Sequence, residues 1–446
     1  MKNKIVLIII LLLVLVRLAM AFPAFDHPER FRVVDSDQYV DLASTLLKTG
    51  EYHGTLYPYP EINLIRPPVY PLFLALNIFL FSDVRWASLV QVLLTFLNAF
   101  VIYRIGSDLD QRKAGVAAVL LYLLSVNGAF EALQIMTETL TSTWVLLAFW
   151  GLVRHQVTHQ RRWFVFSGAM MGMGALARPI LFPLLLGWSA LLLLLEINWK
   201  PRVKLSKTAA GNALLFAMSG MVFILPWQVR NYRVHGQFTL SDVSRVTIEN
   251  YMMANVVAEV NGISRNEAVA LIDAQPDPAS YRIQFIKAHL PIFFKVQSRG
   301  IIRTFVAVSY PSWAEEMTGI RPPSTGVIQN FKLDTASLVE LLKSNLWLWL
   351  GITALAISAV MYVMGAVSVW HFFTRYRQEP IFPLVVVTVI TTAYLMLSPL
   401  GQGDARFRVP VEPLLALLAG LWFYTPVYPD EYTKINWKEN NVKHSR

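Results

Sequence analysis

Long apolar runs recur along this chain and constrain its fold more than any other sequence feature. Several of them reach the roughly 18 to 20 residues that a membrane-crossing helix requires. The candidate spans are residues 5–22, 86–103, 114–128, 139–153, 163–177, 180–196, 209–226, 346–370, 380–397 and 410–425. Because 55% of the 446 residues are hydrophobic and only 15% are charged, we predict an all-α polytopic membrane protein. Its core would be a bundle of about ten transmembrane helices.

Basic residues cluster in short segments between the apolar runs and give the chain a net charge of +10. A basic chain can be a nucleic-acid binder, but clusters in this position are typical of cytoplasmic loops, which are rich in Lys and Arg. We therefore predict no nucleic-acid partner. The clusters are Arg104/Arg112/Lys113, Arg154/Arg161/Arg162, Lys200/Arg202/Lys204/Lys207 and Arg375/Arg377. Cysteine is absent, which excludes disulfides and thiolate metal sites.

The apolar stretch from Val69 to Phe81 is too short to cross a membrane comfortably. If it crossed, all four basic clusters would lie outside, whereas an interfacial or re-entrant helix keeps all of them inside. We predict the second arrangement, which makes residues 23–85 one external loop. The first apolar run is either a retained span or a signal peptide ending near Ala19-Met20-Ala21, and both alternatives place residue 23 outside.

Four parts follow from this topology, and the longest external segment is too long to be a simple connector. They are an N-terminal transmembrane module (1–226), a mainly helical external domain (227–345), C-terminal transmembrane helices (346–428) and a polar cytoplasmic tail (429–446). Within the external domain, Ser264-Arg265-Asn266-Glu267 predicts a capping box at the start of a helix. Residues 279–306 predict a basic helix, either on the membrane surface or solvated within a small domain.

Three carboxylates at the external ends of spans are candidate catalytic groups: Asp35, Asp37 and Glu138. An Asp-x-Asp pair is commonly a solvated turn or a helix cap, but next to a membrane surface it suits a general base for a hydroxyl or amine. Glu138, like the neighbouring Glu131, is costly in lipid and should face a cavity, unless it only stabilises a helix N-terminus. We predict no metal site and no required cofactor, although a divalent cation could bind such carboxylates.

Five arginines occur at external span ends, each beside a proline or an aromatic residue. They are Arg66, Arg178, Arg230, Arg406 and Arg408. A single arginine in such a position is more often a snorkelling side chain. Five together indicate an anion, and a phosphate fits because a guanidinium group binds its oxygens in a bidentate manner. We therefore predict a lipid-phosphate substrate, with the arginines stabilising the phosphate as it leaves.

These residues stand in short motifs whose order along the chain resembles the GT-C superfamily of membrane glycosyltransferases. The motifs are Asp35-Ser36-Asp37-Gln38-Tyr39, Arg66-Pro67-Pro68-Val69-Tyr70, Met136-Thr137-Glu138, Ala177-Arg178-Pro179, Pro226-Trp227 with Arg230-Asn231-Tyr232, His289-Leu290-Pro291 and Arg406-Phe407-Arg408-Val409-Pro410. The likeness is to the branch that includes the protein O-mannosyltransferases and the lipid A aminoarabinose transferases.

The resemblance implies a polyprenyl-phosphate monosaccharide donor, inversion at the anomeric carbon, and a protein, lipid or glycan acceptor. It implies that Asp35 is the catalytic base and that Glu138 is the carboxylate of the second external loop. The usual Asp-Glu pair reads Asp35-Ser36 here, which leaves open a shared role for Asp37. The expected location is a bacterial inner membrane, with the active site facing the periplasm.

The resemblance also implies that Arg66, Arg178 and either Arg406 or Arg408 hold the donor phosphate. Arginine replaces the lysine that aminoarabinose transferases carry before the proline pair. We expect Tyr39 and Tyr70 to support the first loop. A transporter or flippase of isoprenoid-linked sugars is the alternative function, but such proteins usually have inverted repeats and charges near the bilayer midplane. This chain has no internal repeat that we detect, and its charges cluster at the external span ends.

Overall fold

The computed structural model describes residues 2–55, 62–195, 207–320 and 346–426, and every regular element in these ranges is helical. The first eleven helices are α1 (Lys2–Asp26), α2 (Val34–Thr49), α3 (Ile62–Ile65), α4 (Val69–Phe81), α5 (Trp86–Asp108), α6 (Arg112–Leu124), α7 (Val126–Glu131), α8 (Glu138–Thr158), α9 (Arg162–Ala177), α10 (Leu181–Leu195) and α11 (Lys207–His235). The predicted all-α class is confirmed.

The remaining helices are a group of shorter ones, then one long apolar helix and two shorter apolar ones. They are α12 (Val243–Thr247), α13 (Ala254–Asn261), α14 (Arg265–Asp273), α15 (Pro278–Ala288), α16 (Leu290–Val306), α17 (Tyr310–Thr318), α18 (Leu346–Thr374), α19 (Phe382–Leu397) and α20 (Glu412–Gly420). A π-helical turn covers Ile248–Met253, and 3₁₀ turns cover Pro28–Phe31, Leu400–Gln402, Ala405–Val411 and Leu421–Phe423.

Helices lie at all ten predicted spans, but their lengths differ. Within the described ranges, four helices are long and apolar enough to cross a membrane: Lys4–Asp26, Arg85–Asp108, Thr208–His235 and Leu346–Thr374. Val69–Phe81, Leu181–Leu194 and Phe382–Leu397 are shorter apolar helices. The count of about ten crossings therefore stays a prediction, as do the domain boundaries. Residues 196–206, 321–345 and 427–446, which include part of one basic cluster and the predicted tail, lie outside the described residues.

The helices α9 and α11 pack with their backbones close together. A Cβ atom added to Gly172 would lie 2.5 Å from the carbonyl oxygen of Gly220, so only glycine fits there. Small residues permit such close approach in membrane bundles, where apolar lipid provides little drive for helix association. The Trp188 indole of α10 donates a hydrogen bond of 2.7 Å to the Thr391 hydroxyl of α19, which ties the N-terminal bundle to the C-terminal helices.

The segment predicted to be the first external loop folds back onto the bundle through α2 and α4. Edge-to-face contact between Tyr39 of α2 and Tyr70 of α4, with ring centroids 4.9 Å apart, joins the two helices. Both rings are buried. Pro67 and Pro68 separate α3 from α4, since proline disfavours the helical conformation in the residue before it and cannot continue a helix. This break leaves Arg66 at the junction, beside the N-terminal turn of α2.

The described part of the predicted external domain, for which that name is kept below, consists of α12 to α17. The predicted capping box is present, because the Ser264 hydroxyl accepts from the Glu267 amide and the Ser264 amide donates to the Glu267 carboxylate. The single basic helix predicted over 279–306 is instead two helices, α15 and α16, separated at His289. On α16, Lys295 and Arg299 both pair with Glu259 of α13. Part of its basic side therefore packs within the domain, as the solvated-helix alternative expects.

Candidate active site

The centre of the site is an ion pair between Asp35 and Arg66. The Arg66 Nη2 atom lies 2.6 Å from Asp35 Oδ1, and the same guanidinium donates to Gln38 Oε1 at 2.8 and 2.9 Å. Its Nη1 atom donates to the Tyr39 hydroxyl at 3.1 Å, and its carbon lies 4.8 Å from the Tyr39 ring centre. Arg66 is thus fixed by two neutral side chains of α2, and it presents its charge to Asp35.

The two aspartates lie on different sides of α2. Both are in its first turn, where carboxylates interact favourably with the helix dipole, so the pair is helical and not in a loop as predicted. Residues two apart on an α-helix are separated by about 200°. Asp35 consequently faces Arg66, while Asp37 is exposed. Of the two candidate bases, the structure brings only Asp35 into contact with the arginines.

Arg406 approaches the other oxygen of the Asp35 carboxylate. Its Nη1 atom is 3.7 Å from Asp35 Oδ2, so one carboxylate contacts arginines from opposite ends of the chain. Arg406 belongs to the 3₁₀ turn Ala405–Val411. Asp404 caps this turn, and its side chain accepts from the Arg406 amide at 3.0 Å. This turn places the guanidinium at the N-terminal end of α2.

A second arginine–carboxylate pair joins Arg178 and Glu138 at 3.0 Å. Glu138 is the first residue of α8 and is 1% exposed, and Arg178 follows the last residue of α9 directly. The distance is that of an ion pair, although the Arg178 Nη1 group does not point along the line required for a hydrogen bond. Pro179 ends α9 at this point, which leaves the arginine at the bundle surface.

Phe407 connects the two arginine–carboxylate pairs. The guanidinium carbon of Arg178 lies 5.4 Å from the centre of the Phe407 ring, and that of Arg406 lies 5.2 Å from it. Cation–π contacts of this kind orient a guanidinium without neutralising its charge. Arg66, Arg178 and Arg406 therefore gather around Asp35, Glu138 and one aromatic ring.

The electrostatics of this cluster favour retained positive charge. Burial tends to lower the pKa of Arg406, but the carboxylates of Glu138, Asp35, Asp404 and Glu131 outweigh it and raise the pKa above its ordinary value. Burial, reinforced by Glu138, raises the pKa of Glu131 well above its ordinary value, which favours the protonated form. Three guanidinium groups, Arg66, Arg178 and Arg406, thus lie among the carboxylates of Asp35, Glu138 and Asp404, and each guanidinium contacts a carboxylate oxygen.

A chain of buried polar contacts supports the cluster from behind. The Tyr70 hydroxyl donates to Gln91 Oε1 at 2.8 Å, and the Gln91 amide donates to the carbonyl of Gln134 at 2.6 Å. The Gln134 amide in turn donates to Glu316 of the external domain at 2.6 Å. The predicted supporting role of Tyr39 and Tyr70 fits this arrangement, in which Tyr39 contacts Arg66 and Tyr70 anchors the ring of Tyr39.

Two of the five predicted phosphate-binding arginines make different contacts. Arg230 lies over Trp227 and donates to the Tyr52 carbonyl at 2.9 Å, while the Tyr52 hydroxyl donates to the Arg66 carbonyl at 2.8 Å. Arg230 thus steadies the Arg66 backbone from outside the cluster. Arg408 is 1% exposed and donates to the Phe305 carbonyl of α16 at 2.8 Å, so it anchors the 3₁₀ turn.

Several site residues were not singled out from the sequence. Gln38 shares the helix face of Asp35 because it is three positions further on, and this spacing was available as a signal. Glu412 accepts from Ser125 at 2.7 Å and from Asn127 at 3.4 Å, and Asn127 also donates to the Ala405 carbonyl at 3.0 Å. This buried network holds the residue before Arg406, and no local pattern indicates it.

The expectation that no metal is required, with a divalent cation as the alternative, stays a prediction. Among the described residues, no group of three histidine or acidic side chains has an arrangement that could hold a metal ion. The carboxylates of the cluster are instead engaged with arginines, as at Asp35 and Glu138.

Comparison with known proteins agrees with this picture. Residues 65–227, which include Arg66, Glu138 and Arg178, match the family described as dolichyl-phosphate-mannose-protein mannosyltransferase. No curated protein matches the sequence. The matched segment contains Arg66 and the Glu138–Arg178 pair, whereas Asp35 precedes it and Arg406 follows it.

Solved structures also match this chain. The archaeal oligosaccharyltransferase AglB from Archaeoglobus fulgidus, solved with an inhibitory peptide and a dolichol-phosphate, has a TM-score of 0.52 at 14% identity, over 94% of this chain and 50% of that one. ArnT from Cupriavidus metallidurans, bound to undecaprenyl phosphate, has a TM-score of 0.43 at 14% identity, over 92% and 77%. The chain thus spans about half the length of the oligosaccharyltransferase it matches.

Proposed function

We propose that this chain is a membrane glycosyltransferase of the GT-C superfamily, which transfers a sugar from a polyprenyl-phosphate monosaccharide to an acceptor outside the membrane. The family match over residues 65–227 and the fold shared with the oligosaccharyltransferase support this proposal. The observation that carries the proposal is the shared contact of Asp35 with Arg66 and Arg406. A proton acceptor and a phosphate-binding group then lie at one point. A dolichol-phosphate in the oligosaccharyltransferase structure agrees with a lipid-linked donor.

The donor phosphate would bind to Arg66, Arg178 and Arg406. Each guanidinium already contacts a carboxylate, and a phosphate offers the same oxygen geometry with more charge. Since Arg66 keeps its bonds to Gln38 and Tyr39, it can exchange Asp35 for a phosphate oxygen without changing its orientation. The Asp35 carboxylate would then leave its ion pair with Arg66 and accept the hydrogen bond of the acceptor instead.

In the reaction, Asp35 accepts the proton of the acceptor hydroxyl or amine. The acceptor atom attacks the anomeric carbon from the side opposite the phosphate, so the bond from that carbon to the phosphate oxygen breaks with inversion. Polyprenyl phosphate leaves with the bonding electron pair, and the three arginines stabilise its growing negative charge. General-base assistance of this type contributes about 10² to 10⁴ in rate.

Glu138 acts in this scheme as a positioning residue. It is almost fully buried and pairs with Arg178, which fixes the guanidinium next to the Phe407 ring. An acceptor of protein, lipid or glycan nature is compatible with the chemistry, as is a bacterial inner membrane with a periplasmic site. No cofactor is needed for the steps described, since the donor supplies both the leaving group and the sugar.

A panel of lipid donors tests the proposal. The purified protein in proteoliposomes is incubated with undecaprenyl phosphates carrying different single sugars, and release of undecaprenyl phosphate is measured by mass spectrometry. We expect release from at least one donor when a crude membrane extract supplies acceptors. A flippase of isoprenoid-linked sugars would instead move the intact donor across the bilayer, so transport without bond cleavage would contradict the proposal.

A further inference from the structure

A polar cleft opens next to the candidate active site, between the external domain and the loop before α20. Its volume is about 470 Å³. The lining residues are Tyr251, Asn255, Ser264, Arg265, Asn266, Arg303, Gly401, Gln402, Asp404, Arg406 and Phe407. A neighbouring pocket of about 370 Å³ shares Asn255, Arg265, Arg303 and Gly401 with it. Together they form one groove that ends at the Arg406–Phe407 side of the site.

The groove has an excess of positive charge. Arg265 and Arg303 are exposed, and neither pairs with a carboxylate among the residues that the structure describes. Arg265 lies with its guanidinium carbon 4.3 Å from the ring centre of Tyr251. The carboxylate of Asp404 also lines the groove and accepts from the Arg406 amide, so it is the one acidic side chain in the larger pocket.

The other charged groups nearby are already matched. Glu259, which lines the smaller pocket, pairs with Lys295 at 3.0 Å and with Arg299 at 3.1 Å. The pKa of Glu259 is lowered mainly by hydrogen bonds from these two side chains. Glu259 therefore remains ionised and paired with Lys295 and Arg299. The unmatched charge of the groove therefore belongs to Arg265 and Arg303, which lie on two different helices, α14 and α16.

The wall of the groove is held rigidly to the active-site turn. Gly300 of α16 lies so close to the 400–403 segment that an added Cβ atom would clash with the Leu400 carbonyl oxygen. The Gly401 amide donates to Gln297 at 2.7 Å, and the Gln297 amide donates to the Met252 carbonyl at 3.3 Å. Because Arg406 follows this segment, the positions of the groove and of the phosphate-binding arginine are set together.

We propose that this groove is the acceptor site and that it selects an acceptor bearing a phosphate or carboxylate group. The inference rests on the proposed function in treating the ligand as the sugar acceptor. Arg265 and Arg303 would bind the anionic group by charge-assisted hydrogen bonds, while a hydroxyl or amine of the same molecule reaches Asp35 past Arg406 and Phe407. The anionic group could belong to a soluble sugar phosphate or to a lipid head group.

Two binding measurements on the purified full-length protein test this proposal. In nanodiscs of phosphatidylcholine, binding of glucose 1-phosphate is compared with binding of glucose by NMR. In nanodiscs containing phosphatidic acid, protection of residues 248–306 from hydrogen exchange is compared with that in pure phosphatidylcholine. We expect glucose 1-phosphate to bind at least about tenfold more tightly than glucose, or phosphatidic acid to protect the groove. The first result identifies a soluble source and the second a lipid source.

The decisive comparison uses two double variants with the same change in charge. Arg265→Gln/Arg303→Gln should lose the preference for the anionic ligand, at least about tenfold in affinity. Arg233→Gln/Lys287→Gln removes two exposed cations from outside the groove and should keep the preference. If both double variants behave like the wild type, or if the wild type prefers no anionic ligand in either measurement, the proposal is wrong.

Binding of undecaprenyl phosphate is measured in parallel, because it depends on the arginines of the active site and not on Arg265 or Arg303. We expect the Arg265→Gln/Arg303→Gln variant to bind undecaprenyl phosphate like the wild type. Normal undecaprenyl phosphate binding without any anion preference in the groove would contradict this inference alone. Failure of the wild type to bind undecaprenyl phosphate would instead contradict the proposed function.

Discussion

Asp35 and Arg66 are separated by 31 positions in the sequence, and their side chains meet at 2.6 Å. The contact joins the first turn of α2 to the residue before the proline pair that opens α4. The contact brings a carboxylate and a guanidinium together at one point of the segment predicted to be the first external loop. Arg406 reaches the same carboxylate from the C-terminal part of the chain.

Replacement of Arg66 should weaken donor binding more than it perturbs the fold. Arg66→Ala removes the guanidinium that contacts Asp35, and we expect the Kd for undecaprenyl phosphate to rise about 10- to 100-fold, since a hydrogen bond to a charged group contributes roughly 1.5 to 3 kcal/mol. Arg66→Lys keeps the charge but loses the two hydrogen bonds to Gln38. Its Kd should therefore lie between those of the wild type and Arg66→Ala. Isothermal calorimetry in detergent measures these affinities.

A control for this experiment is Arg233→Ala, which removes an exposed arginine at the end of α11. It should leave donor affinity at the wild-type value. Equal losses in Arg66→Ala and Arg233→Ala would show that general surface charge, and not the cluster, determines binding.

Stability should depend on pH through Glu316. Burial, partly offset by a hydrogen bond from Gln134, raises the pKa of this carboxyl to about 8. Unfolded chains ionise it near the ordinary value of 4.5, so between these two pH values folding requires uptake of a proton. The contribution of Glu316 to the free energy of unfolding therefore falls as pH rises from about 4.5 to about 8. Glu316→Gln should remove this loss.

Thermal unfolding of purified protein at pH 5 and pH 8 checks the effect. We expect Glu316→Gln and the wild type to have similar Tm values at pH 5, whereas at pH 8 the variant should be the more stable. Glu315→Gln, one residue earlier and partly exposed, is the control and should show no such divergence. A constant Tm difference between Glu316→Gln and the wild type at both pH values would contradict the assignment.

Gly300 should be needed to position Arg406. Gly300→Ala forces the 400–403 segment away from α16, and misplacement of a reacting group by about 1 Å can reduce a rate about 100-fold. We expect Gly300→Ala to lose sugar transfer and to add little to the loss caused by Arg406→Ala, because both changes remove the same contact. Gly211→Ala, where a Cβ atom meets open space, should retain activity. Full additivity of the two losses would contradict this role.

The overall class could be predicted because apolar spans leave a strong signal in the sequence. Helices occur where each long run predicted one, and the short run Val69–Phe81 forms a helix of 13 residues. The prediction of a single helix over 279–306 was wrong, because the segment forms two helices, α15 and α16. Pro291 in the first turn of α16 allows a new helix to start after His289. A proline can end one helix and can also lie in the first turn of the next. The spacing of apolar residues does not show whether a helix stops before Pro291 or continues through it.

The choice between neighbouring candidates required the structure. Asp35 and Asp37 differ by two positions, as do Arg406 and Arg408, and in helical conformations this spacing places side chains on different sides. The sequence does not state which side faces the site. Asp35 and Arg406 face each other, whereas Asp37 is exposed and Arg408 is buried against α16. Local patterns also could not indicate Phe407 as the contact between Arg178 and Arg406.

The rate of sugar transfer by Asp35→Asn tests the central claim most directly. The purified variant is compared with Asp37→Asn in the same proteoliposomes, with undecaprenyl phosphate binding measured as a check of folding. We predict that Asp35→Asn lowers the rate by about 10² to 10⁴ but binds undecaprenyl phosphate at least as tightly as the wild type, because a carboxylate that competes for Arg66 is removed. Asp37→Asn should stay close to the wild type in both measurements. Transfer by Asp35→Asn at a near wild-type rate would contradict the assignment of Asp35 as the base.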